Sequence, residues 1–357
     1  MPSRRLVSLL LLASFAALAQ DGVHVTTLKD PVSKSYRKMV EGMDLFEEKR
    51  AMAPGATLRF KLLPRKRDTR MDQIQLELVG YSDIKPLELA TDRTFTIERD
   101  EQALKEDALV RPNRRAMTMT WRAEIRSPGL PPGTRRLGDL RLECEVGMRA
   151  ELISNRTAFE KMMDALFGRE GYCERPEPRY LFFTERPVFA VTLVSGERRE
   201  LIPVDRLYAG ASAIEDITQT LPWCDCEVLL DRTYFLPLGD RSWPNDTLVQ
   251  FEYMDDAPAA SPGGLSTKGE VITALGIGKA VRFDSGYEIR VYRTRSVSPE
   301  DKKSAALLTE RVFLFGPTGA TLKFRTSVRP AKPPSPSPEA RLPGPAPFAA
   351  RPRTASG

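Results

Sequence analysis

The run Met117-Thr118-Met119-Thr120-Trp121-Arg122-Ala123-Glu124-Ile125 places an apolar side chain at every second position, with Thr, Arg and Glu between. Successive strand residues point to opposite faces, so a period of two predicts a half-buried β-strand. The same alternation recurs at Leu58, Phe60 and Leu62 and at Ile74, Leu76 and Leu78. Ser127-Pro128-Gly129 and Pro131-Pro132-Gly133 supply turn chemistry, and Leu140, Leu142, Cys144 and Val146 then read as one more strand. Short alternating strands with Pro/Gly punctuation predict an antiparallel sandwich over roughly residues 55 to 150.

Upstream, Tyr36, Met39, Val40, Met43 and Phe46 recur at three- and four-residue spacing, which predicts an amphipathic helix over Ser35 to Arg50, stopped before Pro54-Gly55. The first residues have the zones of a secretory signal. Arg4 and Arg5 make a basic start, Leu6 to Leu18 are apolar apart from Ser8 and Ser14, and Ala17-Leu18-Ala19 is a small-x-small cleavage site. The apolar run is shorter than the about 20 residues a bilayer needs, so cleavage near Gln20 and release are expected. No later segment is long, apolar and uncharged, so no transmembrane span is expected after cleavage. A periplasmic or secreted location follows.

That location decides how the cysteines are read. Cys144, Cys173, Cys224 and Cys226 form an even set in an exported chain and are disulfide candidates. Cys224 and Cys226 are one residue apart and poorly placed to bridge each other, so Cys144 is expected to join Cys173. The remaining two would pair under strain or with a partner.

Between these cysteines, Ser154 or Asn155 can cap a helix with Phe159, Met162, Met163, Leu166 and Phe167 on one face and Gly168 as its stop. Strands are expected at Tyr180–Thr184, Val188–Val194, Leu201–Val204, Glu227–Leu230, Tyr234–Leu238 and Thr247–Tyr253, as a second β domain. Asp92-Arg93-Thr94-Phe95 is echoed by Asp231-Arg232-Thr233-Tyr234, each at the entry to an extended segment. Asp255 to Gly264 has a linker composition.

Beyond it, Ser266 can cap a helix through Glu270, Val271, Ile272 and Leu275 that ends at Gly276. Strands follow at Glu288–Thr294, Thr309–Phe315 and Ala320–Thr326, the last two joined as a hairpin at Gly316-Pro317-Thr318-Gly319. The residues from Pro330 onward are dominated by Pro, Ala, Ser and Arg and cannot bury enough apolar surface to fold.

The fold class expected is therefore mainly β with α+β: one or two antiparallel β-sandwich modules plus a small helix-and-three-stranded-sheet C-terminal domain. The expected division is a signal peptide 1–19, a helix and sandwich 20–153, a helix and second β domain 154–254, a linker 255–264, an α+β domain 265–328 and a disordered tail 329–357.

Thr267-Lys268-Gly269-Glu270-Val271 with Leu275-Gly276, then Tyr292 in its strand and the hairpin, resemble the SmpA/OmlA family over residues 265–327. The resemblance implies an α+β fold and a setting in the machinery that assembles outer-membrane barrels. The β modules loosely resemble transthyretin-like modules of exported proteins.

The chain has 357 residues, a net charge of +6, and 29% charged residues. That charge could favour anionic surfaces such as lipid headgroups or cell-wall polymers, but along the sequence Lys and Arg are scattered among Asp and Glu. Nucleic-acid binding is disfavoured, because basic and aromatic residues do not interleave. His24 is the single histidine and lies just past the cleavage site, which excludes Ser-His-Asp, Cys-His and His-based zinc chemistry. Gly276-Ile277-Gly278-Lys279 lacks phosphate-loop spacing. Asp255-Asp256, or Glu98 with Asp100, are the acid pairs a glycosidase could use, and Asp225 or Asp255-Asp256 the oxygens for calcium. None forms a complete motif, so no catalytic residue, cofactor or metal is expected. The expected function is a non-enzymatic exported envelope protein that binds other envelope proteins or surface polymers, the alternative a carboxylate-dependent hydrolase of such polymers.

Overall fold

In the computed structural model, residues 32–116, 118–152, 171–174, 180–211, 229–257, 264–296 and 306–331 are described. The expected signal segment, His24, Met117, the helix expected after Ser154, Cys224, Asp225, Cys226 and nearly all of the expected tail lie outside the described residues.

The alternating run forms strand β7 (Met119–Arg126), paired antiparallel with β2 (Thr57–Pro64) from Thr57↔Arg126 to Pro64↔Met119. Strand β5 (Thr94–Phe95) pairs with the other edge of β2. A second sheet runs in the order β1 (Lys34–Ser35), β6 (Leu109–Pro112), β3 (Leu76–Val79), β4 (Ile84–Leu87). Phe60, Leu62, Phe95, Trp121 and Ile125 from the first sheet and Leu76, Leu78 and Val110 from the second share one core. Helix α1 (Tyr36–Glu48) adds Tyr36, Met39, Val40 and Phe46 to it. The Ser35 hydroxyl accepts the Lys38 N–H at 3.3 Å and caps the helix.

A short helix α2 (Glu101–Lys105), capped by Asp100, leads to Glu106. Its carboxylate accepts the backbone N–H groups of Tyr81 (2.8 Å) and Ser82 (3.1 Å) in the β3–β4 turn. Bonds from the Ser82 hydroxyl and the Gln102 amide, then from these N–H groups, push its pKa down to about 2. A pKa lowered on folding stabilises above the unfolded value of about 4.3 and is lost as pH falls through the folded one. Exchange of the Tyr81 and Ser82 amides should therefore stay protected at pH 4 and open below about pH 2. Glu106→Ala should open it at any pH.

Leu140, Leu142, Cys144 and Val146, expected as a strand, lie in an α-helix, α3 (Leu137–Arg149). Leu137, Leu140, Cys144 and Met148 face one core, and Leu142, Val146 and Ala150 face the core already described. Each set follows the three-to-four-residue spacing of a helix, and interleaving the two mimics a strand's period of two. The polar residues of α3 are paired as well. Asp139 accepts the N–H (2.8 Å) and hydroxyl (2.7 Å) of Ser127, and Glu143 accepts the Ile125 N–H (2.8 Å). Arg141 donates to the carbonyls of Leu238 and Asp240, both at 2.8 Å, and to Asn245 Oδ1 at 2.7 Å. Helix α1 crosses α3 closely at Gly42, where a Cβ would lie 2.9 Å from that of Ala150.

The second core is built on a sheet of order β11 (Arg198–Leu201), β10 (Val188–Ser195), β13 (Leu248–Tyr253), β8 (Thr134–Arg136). Strand β8 comes from the expected first domain, so it crosses the boundary placed at 153/154, as α3 does by packing. Strands β9 (Phe182–Phe183) and β12 (Thr233–Tyr234) pair separately. The two Asp-Arg-Thr-aromatic segments thus both open two-residue strands. Four expected strands are shorter or displaced, of which the one expected at Tyr180–Thr184 covers only Phe182–Phe183. Leu201 ends its strand and Val204–Arg206 is a 3₁₀ turn, Leu230–Arg232 is another, and β12 stops at Tyr234. Pro203 and Pro237 lack the N–H a ladder needs. Cys144 and Cys173 form a disulfide, with Cα atoms 6.0 Å apart.

Helix α4 (Lys268–Leu275) begins at a Thr267/Glu270 capping box and ends at Gly276. Strands β14 (Lys279–Arg282), β15 (Glu288–Ser296), β16 (Leu307–Phe315) and β17 (Thr321–Pro330) form a consecutive antiparallel sheet, one short edge strand more than expected. Ile289, Val291, Val312 and Leu314 on one face join the core of β10 and α3, while Phe313 and Phe315 on the other pack with Val271 of α4. The fold class is thus mainly β, with several antiparallel sheets and few helices.

Candidate functional site

Where β2 and β7 meet the second core, a cleft of about 290 Å³ opens. Lys61 of β2 and Glu124 and Arg126 of β7 form one wall. Gly133, at φ +68°, turns the chain into β8, and its carbonyl accepts the Phe251 N–H at 2.8 Å. That turn sets Arg135 at the cleft floor beside β13. The opposite wall is Glu185 and Arg186, between β9 and β10.

The charged groups are tied to one another. The buried Lys61 ammonium lies between Glu185, its hydrogen-bond partner, and Glu124 at 3.8 Å. Glu124 also takes Arg126 at 2.6 Å. Arg135 pairs with Glu143 below the floor and donates to the Ile125 carbonyl at 2.7 Å. Burial works to raise the Glu124 pKa, but Arg135, Arg126 and Lys61 outweigh it and hold the carboxyl below its usual range. Burial raises Glu143, against the pull of Arg135. For Arg135 itself, burial opposes the charge while Glu143 and Glu124 hold the proton on.

Between these ions runs a row of rings. Tyr180 and Phe182 lie 4.7 Å apart, Phe182 stacks on Tyr234 at 5.3 Å, and Tyr234 meets Phe251 edge-on at 5.1 Å. Phe251 is followed on the same strand face by Tyr253 at 6.3 Å. The first three are buried, whereas Phe251 and Tyr253 are half-buried at the cleft. The Arg186 guanidinium sits over the Tyr253 ring at 4.3 Å.

The residues singled out in the sequence serve mostly as supports. Asp255 and Asp256, expected in a linker, both accept from Arg186, at 2.7 and 2.6 Å, and so fix it over Tyr253. Asp100 caps α2 and pairs with Lys85 at 2.6 Å, while Glu98 offers its carbonyl to the Tyr36 hydroxyl. Gly276 closes α4 and Gly278 sits against the Tyr292 ring, so Gly276-Ile277-Gly278-Lys279 is a helix end leading into β14. Among the described residues, no group of three or more His, Cys, Asp or Glu is placed to hold a metal, and no helix is long and apolar enough to cross a membrane. The residues sequence reading missed are Lys61, Glu124, Arg135, Glu185 and Arg186, because each looks like an ordinary polar strand or turn residue. The alternating aromatics Phe251 and Tyr253 were the one visible signal.

Comparison with models of known families, with curated proteins and with solved structures returned no match.

Proposed function

We propose that this chain is a non-enzymatic exported protein of the cell envelope, periplasmic or secreted, that binds other envelope proteins or surface polymers through the cleft between its two cores. The observation that carries the reading is the aromatic row, which is buried at one end and surfaces as Phe251 and Tyr253 among paired charges. Half-buried rings held rigid by their neighbours offer flat apolar faces at little entropic cost, and the surrounding ions supply polar edges. The likeness of residues 265–327 to the SmpA/OmlA family supports outer-membrane assembly or maintenance as the setting.

A carboxylate-dependent hydrolase has less support. Glu124 and Glu185 share the cleft, but the Lys61 ammonium lies between them and Glu124 is held ionised, which suits it poorly to donate a proton.

The test is fractionation of the full chain with the envelope, followed by crosslinking to envelope proteins and co-sedimentation with isolated cell-wall polymer. Aromatic and arginine anchors contribute about 2 kcal/mol or more, roughly thirtyfold in affinity. Tyr253→Ala and Arg186→Ala should each weaken binding by about that factor while leaving the chain folded. A wild-type chain that stays with none of these fractions, or cleft variants that bind as well as wild type, would sink the reading.

A further inference from the structure

Lysines and arginines that are scattered along the sequence are gathered at one end of the β2–β7 pair. Lys66 and Arg70 follow β2, Arg114 and Arg115 precede β7, and together they line a cavity of about 570 Å³ with Asp68 as the acid on its wall. The 44-residue gap in sequence between Arg70 and Arg114 closes because Pro64 pairs with Met119.

The walls are braced before any ligand arrives. Asn113 Oδ1 accepts the Gln75 N–H at 3.0 Å, and its Nδ2 donates to the Gln73 carbonyl at 3.2 Å. Arg114 Nε donates to the Arg70 carbonyl at 2.8 Å, and Thr69 Oγ1 to the Thr118 carbonyl at 2.9 Å. Arg114 is thus committed to holding the two segments together, with no carboxylate of its own among the described residues. Arg70 has the exposed Asp72 at 2.8 Å. The exposed Arg115 guanidinium makes no hydrogen bond or ion pair among the described residues.

Guanidinium forks match the oxygens of phosphate in bidentate geometry, and neighbouring cations repel one another until an anion neutralises them. Among the described residues Arg70 is answered by Asp72 while Arg114 and Arg115 have no carboxylate partner, and the volume admits more than one phosphate group. We propose that this cavity binds a phosphorylated ligand, either a soluble diphosphate or oligophosphate or the headgroup of an anionic phospholipid. Arg115 and Arg70 grip the phosphate oxygens, and Arg114 and Asn113 tie the walls at a fixed spacing. The cavity and the cleft share no lining residue, so the two readings are independent.

The full chain is titrated calorimetrically with pyrophosphate and co-sedimented with phosphatidylcholine vesicles made with and without phosphatidylglycerol. The expected result is binding in at least one arm, weakened tenfold or more by Arg115→Gln, more by Arg70→Gln with Arg115→Gln, and weakened by added salt. Binding of pyrophosphate but not of vesicles identifies a soluble source; binding of phosphatidylglycerol vesicles alone identifies a headgroup. Arg186→Gln, in the cleft, should leave both arms unchanged. A second measurement uses the wild-type chain: pyrophosphate, or the anionic vesicles, should protect Arg115 from modification by phenylglyoxal. Absence of binding in both arms, or binding that Arg115→Gln with Arg70→Gln leaves intact, overturns the proposal.

Discussion

Glu143→Ala should lower the unfolding free energy by about 3–5 kcal/mol, the range found when one member of a buried ion pair is removed. Both Arg135 and Glu143 are almost fully buried, with side-chain exposures of 8% and 7%. Deleting the carboxylate leaves the guanidinium beneath the cleft with only the Ile125 carbonyl and the field of Glu124, and also takes the acceptor from the Ile125 N–H. The large effect measures an uncompensated charge and not the net worth of the pair, because desolvating two ions offsets most of their attraction. Arg135→Met combined with Glu143→Leu should therefore recover most of the loss. Urea denaturation of Glu143→Ala and of the double variant checks this. A Glu143→Ala loss under about 1 kcal/mol, or a double variant no better than the single, would contradict the burial argument.

Leu142→Ala should cost about 2–5 kcal/mol, as expected for a fully buried leucine truncated in a packed core. Its effect should also spread. Leu142 lies in the core of the first two sheets, yet its helix carries Leu140 and Cys144 in the other core, and Arg141 ties it to the Leu238–Asn245 segment. Trp121 and Trp243 are buried, one in each core, and report on the two halves separately. In a chain with Trp223 replaced by Phe, both fluorescence signals should lose structure in one transition, and Leu142→Ala should shift both midpoints together. A shift confined to Trp121 would mean that α3 does not couple the cores.

These two predictions rest on features the sequence showed unevenly. The helix after Ser35 and the helix ended by Gly276 were legible because each carries a regular apolar stripe and a stop, although the second is capped by Thr267 and not by Ser266 as expected. Strands β2, β7, β10, β13, β15, β16 and β17 were legible from alternation or short β-branched runs. Helix α3 was not, because burial on two sides removes the one-sided stripe on which helix recognition depends. The pairing of Cys144 with Cys173 followed from the poor geometry of the alternative. The cleft was hidden for another reason. Its ions come from β2, β7, β8 and the β9–β10 turn, and no local pattern distinguishes a strand lysine that meets two carboxylates from one that meets water.

The lysines and arginines show where the division falls. By itself the sequence determined the local elements with strong periods and caps, the mainly β composition and the pairing of two cysteines, because each depends on contacts between near neighbours or on a short list of alternatives. Only the tertiary structure decided that Leu137–Arg149 is a helix shared by two cores, that Asp255 and Asp256 clamp Arg186 over Tyr253, and that Lys66, Arg70, Arg114 and Arg115 face one cavity. Those outcomes turn on which distant strands pair, and strand pairing is set by burial of whole faces, a property no stretch of residues carries alone.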